Sequence, residues 1–317
     1  MVKQSFDQFD DTLYVTAVQV ATVWTSPNSA RAIDEPGTAA PAKINEWIQN
    51  LTYEQNLALC TENRVQSQLL YGQPVLVTET KDNWVHVVVP DQPSKKDPRG
   101  YPGWVPKGQL KKVNKADWQK ELSAAVTTNK AWLQNGAGHK EMELSYLTLL
   151  PVVKAGEDLT EVKTPHGNRF LQTKDVSIFP TEEGLKKGNG SEIVKAVERY
   201  TGLDYFWGGM SSYGYDCSGL AYAAHKANGY KIARDATDQA ATGKEVPFDE
   251  LRQGDLLFFA YEEGKGRLHH VGIYYGDGYM LHSPQTGKGI EIIELAGTIY
   301  EKELCAARRY WLDTEET

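Results

Sequence analysis

The sequence has few cysteines, no long apolar run and no excess of basic residues. Its three cysteines, Cys60, Cys217 and Cys305, are too few and too scattered for a disulfide framework, and any pairing leaves one thiol free. No stretch approaches the run of about 18 apolar residues that a membrane span needs. With 34 basic and 42 acidic residues the formal net charge is −8, which argues against nucleic acid or an anionic membrane as a partner.

The amino terminus also lacks a recognisable export signal. Residues 1–10 include Lys3 but no apolar core of about seven or more residues. The sequence therefore predicts either a cytoplasmic protein or one whose signal was removed before residue 1. Nothing in the sequence indicates an oligomeric state.

The amino-terminal part, residues 1–112, is predicted to be an all-β domain. A length of 317 residues favours two or three domains, and 40% hydrophobic residues are ample for their cores. Alternating or β-rich runs occupy residues 13–20, 75–79, 84–89 and 103–106. A helical insertion is predicted by four apolar residues at helical spacing: Ile44, Trp47, Ile48 and Leu51. The order of these pieces resembles a bacterial SH3-like barrel.

The middle part, residues 113–180, is interpreted as a linker helix and a second, degenerate SH3-like barrel. A charged, helix-prone stretch runs from about residue 113 to 130, and short strands with turn signals follow in 131–180. The polar stretch 180–190 then predicts a linker into a third domain, residues 188–317.

A cysteine at a predicted helix start stands out in this third domain. Asp216 is a good N-cap, the following residues have helical spacing, and Gly229 suits the end of the helix. Cys217 then lies in the first turn, where unpaired NH groups and the helix dipole are expected to lower the pKa of its thiol. A lone cysteine is more often a small buried hydrophobic residue, so catalysis requires a base and an orienting group as well.

Histidines that could supply these groups lie on a predicted hairpin. His269 and His270 stand in a first strand, the Gly-Asp-Gly run 276–278 predicts the turn, and His282 follows in a second strand. Because side chains alternate along a strand, His269 and His270 cannot both face one site. The hairpin can bring His282 beside one of them. A zinc site of Cys217, His270 and His282 is an alternative, but these residues lack the spacing of metal motifs.

These residues resemble the signature of the NlpC-type papain-like cysteine peptidases of bacterial murein. The motifs, in the family order, are Asp216-Cys217-Ser218-Gly219-Leu220, the run Gly-Asp-Leu-Leu-Phe-Phe at 254–259, His270-Val-Gly-Ile-Tyr, and His282. The match covers about residues 188–312. It implies a multidomain chain of two all-β SH3-like barrels followed by an α+β papain-like peptidase domain. No cofactor and no metal is implied.

The resemblance also implies roles for individual residues. Cys217 would be the nucleophile, with His270 as its hydrogen-bonded base and His282 orienting the imidazole of His270. His270 is preferred over His269 because the family base immediately precedes Val-Gly-Ile-Tyr. Tyr205 would complete the oxyanion hole with the backbone NH of the nucleophile.

A substrate follows from the same resemblance. The family hydrolyses the bond between γ-D-glutamate and a diamino acid, meso-diaminopimelate or L-lysine, in murein peptides. The two barrels and the Arg234-Asp235 run most resemble the dipeptidyl-peptidase VI subgroup, which requires a free N-terminal L-alanine. Asp235 is the first candidate to bind that ammonium group. Further candidates for substrate contacts, each with an ordinary structural role as its alternative, are Glu62, Tyr101, Trp207, Asp216 and Ser218.

Three functions remain in competition at this point. A pocket that demands a free amine would exclude intact murein, in which L-alanine is amide-linked, and would serve the recycling of released peptides. An open-cleft endopeptidase, tethered to the wall by its barrels, would instead remodel intact murein. A catalytically inactive wall-binding module is the third possibility, and the presence of Cys217, His270 and His282 argues against it.

Overall fold

The first sheet is built from seven antiparallel strands of the amino-terminal part. In the computed structural model, which describes residues 6–311, they are paired in the order β3-β2-β6-β5-β4-β1-β7. The strands are β1 (Thr12–Thr16), β2 (Val20–Trp24), β3 (Val65–Leu70), β4 (Pro74–Lys81), β5 (Trp84–Val89), β6 (Tyr101–Pro106) and β7 (Leu110–Asn114). Val85, Val87 and Val89 alternate along β5 and pack into the core with Val23 and Val105. The predicted runs 75–79, 84–89 and 103–106 are confirmed as parts of strands of one sheet, whereas the run 13–20 is interrupted at residues 17–19 and divided between β1 and β2.

A helical insertion separates β2 from β3. It contains α1 (Glu35–Thr38), α2 (Ile44–Asn50) and α3 (Tyr53–Thr61). The predicted helix is confirmed as α2, but α3 was missed because its apolar residues do not gather on one face. A capping box was its available signal: Thr52 accepts a hydrogen bond from the Gln55 NH at 3.3 Å, and the Gln55 side chain accepts from the Thr52 NH at 3.0 Å.

The second sheet repeats the strand order of the first. Its order, β10-β9-β13-β12-β11-β8-β14, is that of the first sheet with each strand advanced by seven. The strands are β8 (Leu122–Val126), β9 (Lys130–Gln134), β10 (Lys140–Ser145), β11 (Leu149–Lys154), β12 (Leu159–Thr164), β13 (Gly167–Gln172) and β14 (Val176–Pro180). The shared order supports the interpretation of this part as a second SH3-like barrel.

The prediction of a helix-prone linker over 113–130 is mostly wrong. Only α4 (Lys115–Trp118) is helical there, and residues 122–126 form β8. Ala124, Ala125 and Val126 are buried, and β8 pairs with both β11 and β14. Burial between two partner strands overrides the local helix preference of alanine.

The third part combines a six-stranded antiparallel sheet with helices. The sheet order is β17-β22-β18-β19-β20-β21, and β15 pairs separately with β16. The strands are β15 (Met210–Ser211), β16 (Gly214–Tyr215), β17 (Lys244–Glu245), β18 (Leu256–Ala260), β19 (Leu268–Gly276), β20 (Tyr279–His282), β21 (Glu291–Glu294) and β22 (Leu304–Arg309). The helices are α5 (Gly190–Glu198), α6 (Cys217–Ala227), α7 (Ala236–Ala240), α8 (Tyr261–Gly264) and α9 (Ile299–Glu303). Helix α6 packs against α5 and β19 around a shared apolar core.

The predicted hairpin is confirmed as β19 and β20. Asp277 and Gly278 both have positive φ, 51° and 81°, which is the geometry of a tight two-residue turn between antiparallel strands. Tyr274 pairs with Met280 and Ile273 with Leu281, so the register is fixed up to the strand end at His282. None of the helices within residues 6–311 has the length and apolar character required to cross a bilayer.

Candidate active site

Asp216 fixes the start of helix α6 and therefore the position of Cys217. Its Oδ1 accepts a hydrogen bond from the Gly219 NH at 2.6 Å, as an N-cap should, and Oδ2 accepts from the Gly208 NH at 2.9 Å. Both oxygens also pair with the guanidinium of Arg234, at 2.7 Å and 3.1 Å. The predicted cap is confirmed, and these partners already satisfy the carboxylate before any substrate arrives.

Burial, with the charge of Asp216 acting in the same direction, raises the pKa of the Cys217 thiol to about 12. The thiol is therefore neutral at neutral pH in the empty site. The backbone NH groups of Val271 and Ser218, followed by the charge of Arg234, act in the opposite direction but are weaker. The expectation that the helix start makes this thiol ionise more easily is therefore wrong, because desolvation of the thiolate outweighs the nearby NH groups.

His270 and His282 form a buried pair behind the thiol. Nε2 of His270 lies 2.8 Å from Nδ1 of His282, so the hairpin brings the two rings together as its sequence predicts. Burial lowers the pKa of His270 well below its usual value and that of His282 to about 4. The ring of Tyr300 packs on both, with centroids 5.3 Å and 5.0 Å away. The far nitrogen of His282 is 3.3 Å from the carboxylate of Glu291.

The expected hydrogen bond between Cys217 and His270 is absent from the described part of the chain, residues 6–311. The backbone NH groups of Val271 and Ser218 are close enough to lower the pKa of the thiol. A neutral thiol is a weak donor, and hydrogen bonds of this kind commonly tighten only in the substrate complex. Because Nε2 of His270 is engaged by His282, Nδ1 is the nitrogen left for the thiol.

His269 does not alternate cleanly with His270 across the strand, because the pairing of β19 with β18 shifts register here and the two imidazole rings lie 6.3 Å apart. Its Nε2 is 3.0 Å from a carboxylate oxygen of Glu303, and its ring stacks on Tyr261 at 4.0 Å. It lines the pocket in front of the thiol, whereas His270 is buried beside His282. Within residues 6–311, no group of three or more His, Cys, Asp and Glu side chains is arranged to hold a metal ion.

A pocket of about 260 Å³ opens in front of Cys217, between the first sheet and helices α6 and α7. Five predicted substrate residues line it together with the thiol: Tyr101, Trp207, Asp216, Ser218 and Asp235. Ser218 accepts a hydrogen bond from Arg234 at 2.8 Å, and Trp207 donates to the backbone oxygen of Val65 at 2.9 Å. The first barrel thus forms one wall of the pocket.

Asp235 faces this wall across the pocket. The hydroxyl of Tyr101 donates to both of its carboxylate oxygens, at 3.0 Å and 3.1 Å. Although Asp235 is the N-cap residue of α7, its side chain makes no capping hydrogen bond, so the carboxylate is turned to the pocket instead. Asp235, the first candidate to bind a substrate ammonium, therefore lies in the same pocket as the thiol.

Glu62 and Tyr205 are placed differently from each other. Glu62 does not line the pocket: it pairs with Arg64 at the end of α3, and its side chain is 53% exposed. The suggestion that Glu62 contacts the substrate is therefore not supported, because its carboxylate points to solvent. Tyr205 is buried, and burial together with the charge of Asp216 raises the pKa of its phenol well above 10. Its hydroxyl therefore stays protonated and can donate a hydrogen bond.

Sequence reasoning missed three residues of the site: Gln66, Lys96 and Arg234. Arg234 is 1% exposed and also donates to Ser67 of the first barrel at 3.1 Å, so it joins the two parts of the chain. Gln66 and Lys96 line the pocket. Polar residues in the otherwise apolar strand β3, Val-Gln-Ser-Gln-Leu-Leu, were the available signal, because glutamine in a half-buried strand needs hydrogen-bond partners.

This fold and site define a class. A cysteine at the start of a helix, packed against an antiparallel sheet that carries a paired histidine, is the arrangement of the papain-like cysteine peptidases.

Comparison with known proteins agrees with this class. Residues 202–309 match the NlpC/P60 family, and residues 126–179 match the YKFC SH3b2 domain. A gamma-D-glutamyl-L-lysine dipeptidyl-peptidase of Bacillus subtilis is 49% identical over 290 residues, 92% of this chain and 96% of the relative. A protein of the same name from Bacillus cereus is 36% identical over 92% of this chain and 89% of its own length.

A solved structure shows the same architecture. The crystal structure of an NlpC/P60 family protein from Bacillus cereus superimposes with a TM-score of 0.91 at 36% identity, covering 95% of this chain and all of the other. The chain belongs to the NlpC/P60 family.

Proposed function

We propose that this chain is a cysteine peptidase that hydrolyses the γ-D-glutamyl to diamino acid bond of murein peptides with a free N-terminal L-alanine, releasing L-Ala-γ-D-Glu. The two curated relatives carry the name of this activity for the L-lysine bond. The observation that carries the proposal is the carboxylate of Asp235, which faces the same pocket as the thiol of Cys217. A carboxylate inside a partly desolvated pocket is a strong partner for a substrate ammonium group.

The proposed chemistry begins from a neutral pair. His270 removes the proton of the Cys217 thiol as Sγ attacks the carbonyl carbon of the γ-D-glutamyl group. The oxyanion is held by the Tyr205 hydroxyl and the backbone NH of Cys217. As the tetrahedral intermediate collapses, His270 gives the proton to the leaving amine of the diamino acid, and a thioester remains. Water, deprotonated by His270, then hydrolyses the thioester and restores the thiol.

His282 acts on this cycle through His270. The 2.8 Å contact between the rings fixes the orientation of the base and determines which of its nitrogens faces the thiol. A neutral histidine adds no charge, so it stabilises the imidazolium of His270 less than a carboxylate would. Burial is the main cause of the lowered pKa of His270, which leaves the imidazole unprotonated in the empty site.

The first barrel is proposed to set the substrate length. Its residues Gln66, Lys96 and Tyr101 close the pocket opposite Asp235, whereas none of the described residues of 113–180 lines it. A pocket of about 260 Å³ that is closed on this side suits a short peptide with a free amino end. We infer from this that residues 1–112 shape the specificity of the enzyme and that residues 188–317 carry the chemistry. Residues 113–180 take no direct part in the pocket.

The deciding experiment compares L-Ala-γ-D-Glu-L-Lys and L-Ala-γ-D-Glu-diaminopimelate with their N-acetylated counterparts, with Cys217→Ala as the blank. We expect hydrolysis of the free-amine peptides only, because acetylation removes the charge that Asp235 binds. Equal cleavage of both forms would reject the amine requirement and favour an endopeptidase that acts on intact murein. No cleavage above the Cys217→Ala blank would favour a wall-binding module.

A further inference from the structure

The side chain of Lys96 lies on the groups proposed to bind the substrate's amino end. Its Nζ is 3.1 Å from Oδ2 of Asp235 and 2.9 Å from Oε1 of Gln66, and it also donates to the hydroxyl of Tyr101. The same ammonium stands 4.2 Å from the centroid of the Tyr101 ring. Lys96 therefore fills the part of the pocket that the proposed function assigns to a ligand.

These contacts are those that any primary ammonium would seek. An ammonium group has three N–H donors, and here three acceptors of different residues converge on it: Asp235, Gln66 and Tyr101. The aromatic face adds a cation–π contact. A second ammonium cannot take the same position, and two like charges at contact distance repel each other, so a ligand ammonium makes these contacts only by displacing that of Lys96.

We propose that Lys96 is an internal competitor for the amine subsite: its ammonium occupies the subsite in the empty enzyme and is displaced by the amino terminus of the substrate. This inference rests on the proposed function, since it takes Asp235 as the partner of the substrate ammonium. It makes Lys96 a specificity-determining residue, because only a peptide that brings its own positive charge can replace the lysine on Asp235. An acylated amino end has no charge to exchange.

Only the side chain of Lys96 needs to move in this exchange. The segment that carries it, between β5 and β6, is held by its backbone: the Lys95 NH donates to Asp238 at 2.9 Å, and the Pro93 carbonyl accepts from the Arg234 NH at 3.0 Å. The Lys96 side chain is 38% exposed and has a flexible four-carbon stem, so a rotamer change carries the ammonium to water.

The test replaces Lys96 by methionine, which keeps the stem and removes the charge. We expect the Kd of the dipeptide L-Ala-γ-D-Glu, measured by calorimetry, to fall about two- to fivefold, since displacing a partly exposed ion pair costs that much. The KM for L-Ala-γ-D-Glu-L-Lys falls with it. Lys95→Met is the matched control, because the neighbouring Lys95 pairs with Asp238 at 3.3 Å and makes none of these contacts. Its Kd is expected to stay at the wild-type value.

An unchanged Kd in Lys96→Met would overturn the proposal, and so would a raised Kd, which would mean that Lys96 holds a negative group of the ligand. Thermal melting of both variants checks that the fold is retained. Failure of the proposed function would be seen in a different experiment, the cleavage comparison. The wild type would then cleave free and N-acetylated peptides equally, whatever the Kd of the dipeptide. If neither the wild type nor Lys96→Met binds the dipeptide, the competitor proposal fails, and the proposed function is still decided by the cleavage comparison.

Discussion

Replacing Arg234 by methionine is expected to lower the free energy of unfolding more than removing a charged side chain at an exposed position does. The guanidinium is 1% exposed and makes two hydrogen bonds to the carboxylate of Asp216, at 2.7 Å and 3.1 Å. It also donates to Ser218 at 2.8 Å and to Ser67 of the first barrel at 3.1 Å. Methionine fills similar space but leaves the buried carboxylate without its counter-charge.

The magnitude follows from the uncompensated charge. Breaking a buried ion pair by removing one partner costs about 3–5 kcal/mol. That is a large part of the roughly 5–15 kcal/mol by which a folded protein is stable. The NH groups of Gly208 and Gly219 still bind the carboxylate, so the lower end of this range is expected. Catalysis also suffers, because the charge of Arg234 lowers the pKa of Cys217 and its loss raises that pKa further.

Urea unfolding followed by tryptophan fluorescence measures the first effect, and kcat/KM on the free-amine peptide measures the second. Arg64→Met is the matched control: it removes an arginine that pairs with the half-exposed Glu62 and donates to the Ser29 carbonyl at 2.6 Å, contacts worth together about 1–2 kcal/mol. Adding Asp216→Asn to Arg234→Met is expected to recover part of the loss, because it removes the unpaired charge. If Arg234→Met shifts the midpoint no more than Arg64→Met, the buried pair does not hold the nucleophile loop and the reasoning fails.

Two further outcomes are expected. Tyr205→Phe removes one proposed oxyanion donor, so kcat should fall about a hundredfold or more with little change in KM. A kcat equal to that of the wild type would mean that another group donates to the oxyanion in place of Tyr205. The pKa of His225 is lowered to about 4 by burial, below its usual 6.5, so between pH 6.5 and 4 the unfolded chain binds a proton that the folded chain does not. The free energy of unfolding should therefore fall by about 1.4 kcal/mol per pH unit in this range because of this residue. In His225→Gln the urea midpoint should depend less steeply on pH. The same pH dependence in both proteins would contradict the lowered pKa.

Elements with local signals could be predicted from the sequence. Asp216 before an apolar helical pattern predicted both the cap and helix α6, and the Gly-Asp-Gly turn predicted the hairpin that ends at His282. In each, the deciding interactions lie within a few residues along the chain. Where long-range pairing competes with local preference, as at 122–126, the local pattern predicted the wrong structure.

The same distinction between local and long-range information applies to the active site. The sequence by itself determined the identity of the reactive groups, because the motifs around Cys217, His270 and His282 lie in contiguous runs whose residue types carry the chemistry. Only the tertiary structure decided their environment. Burial sets the pKa of Cys217 against the local expectation, and Tyr101 reaches Asp235 across 134 positions of sequence. Desolvation and contacts between distant segments depend on how the whole chain packs, and no local pattern of residues encodes them.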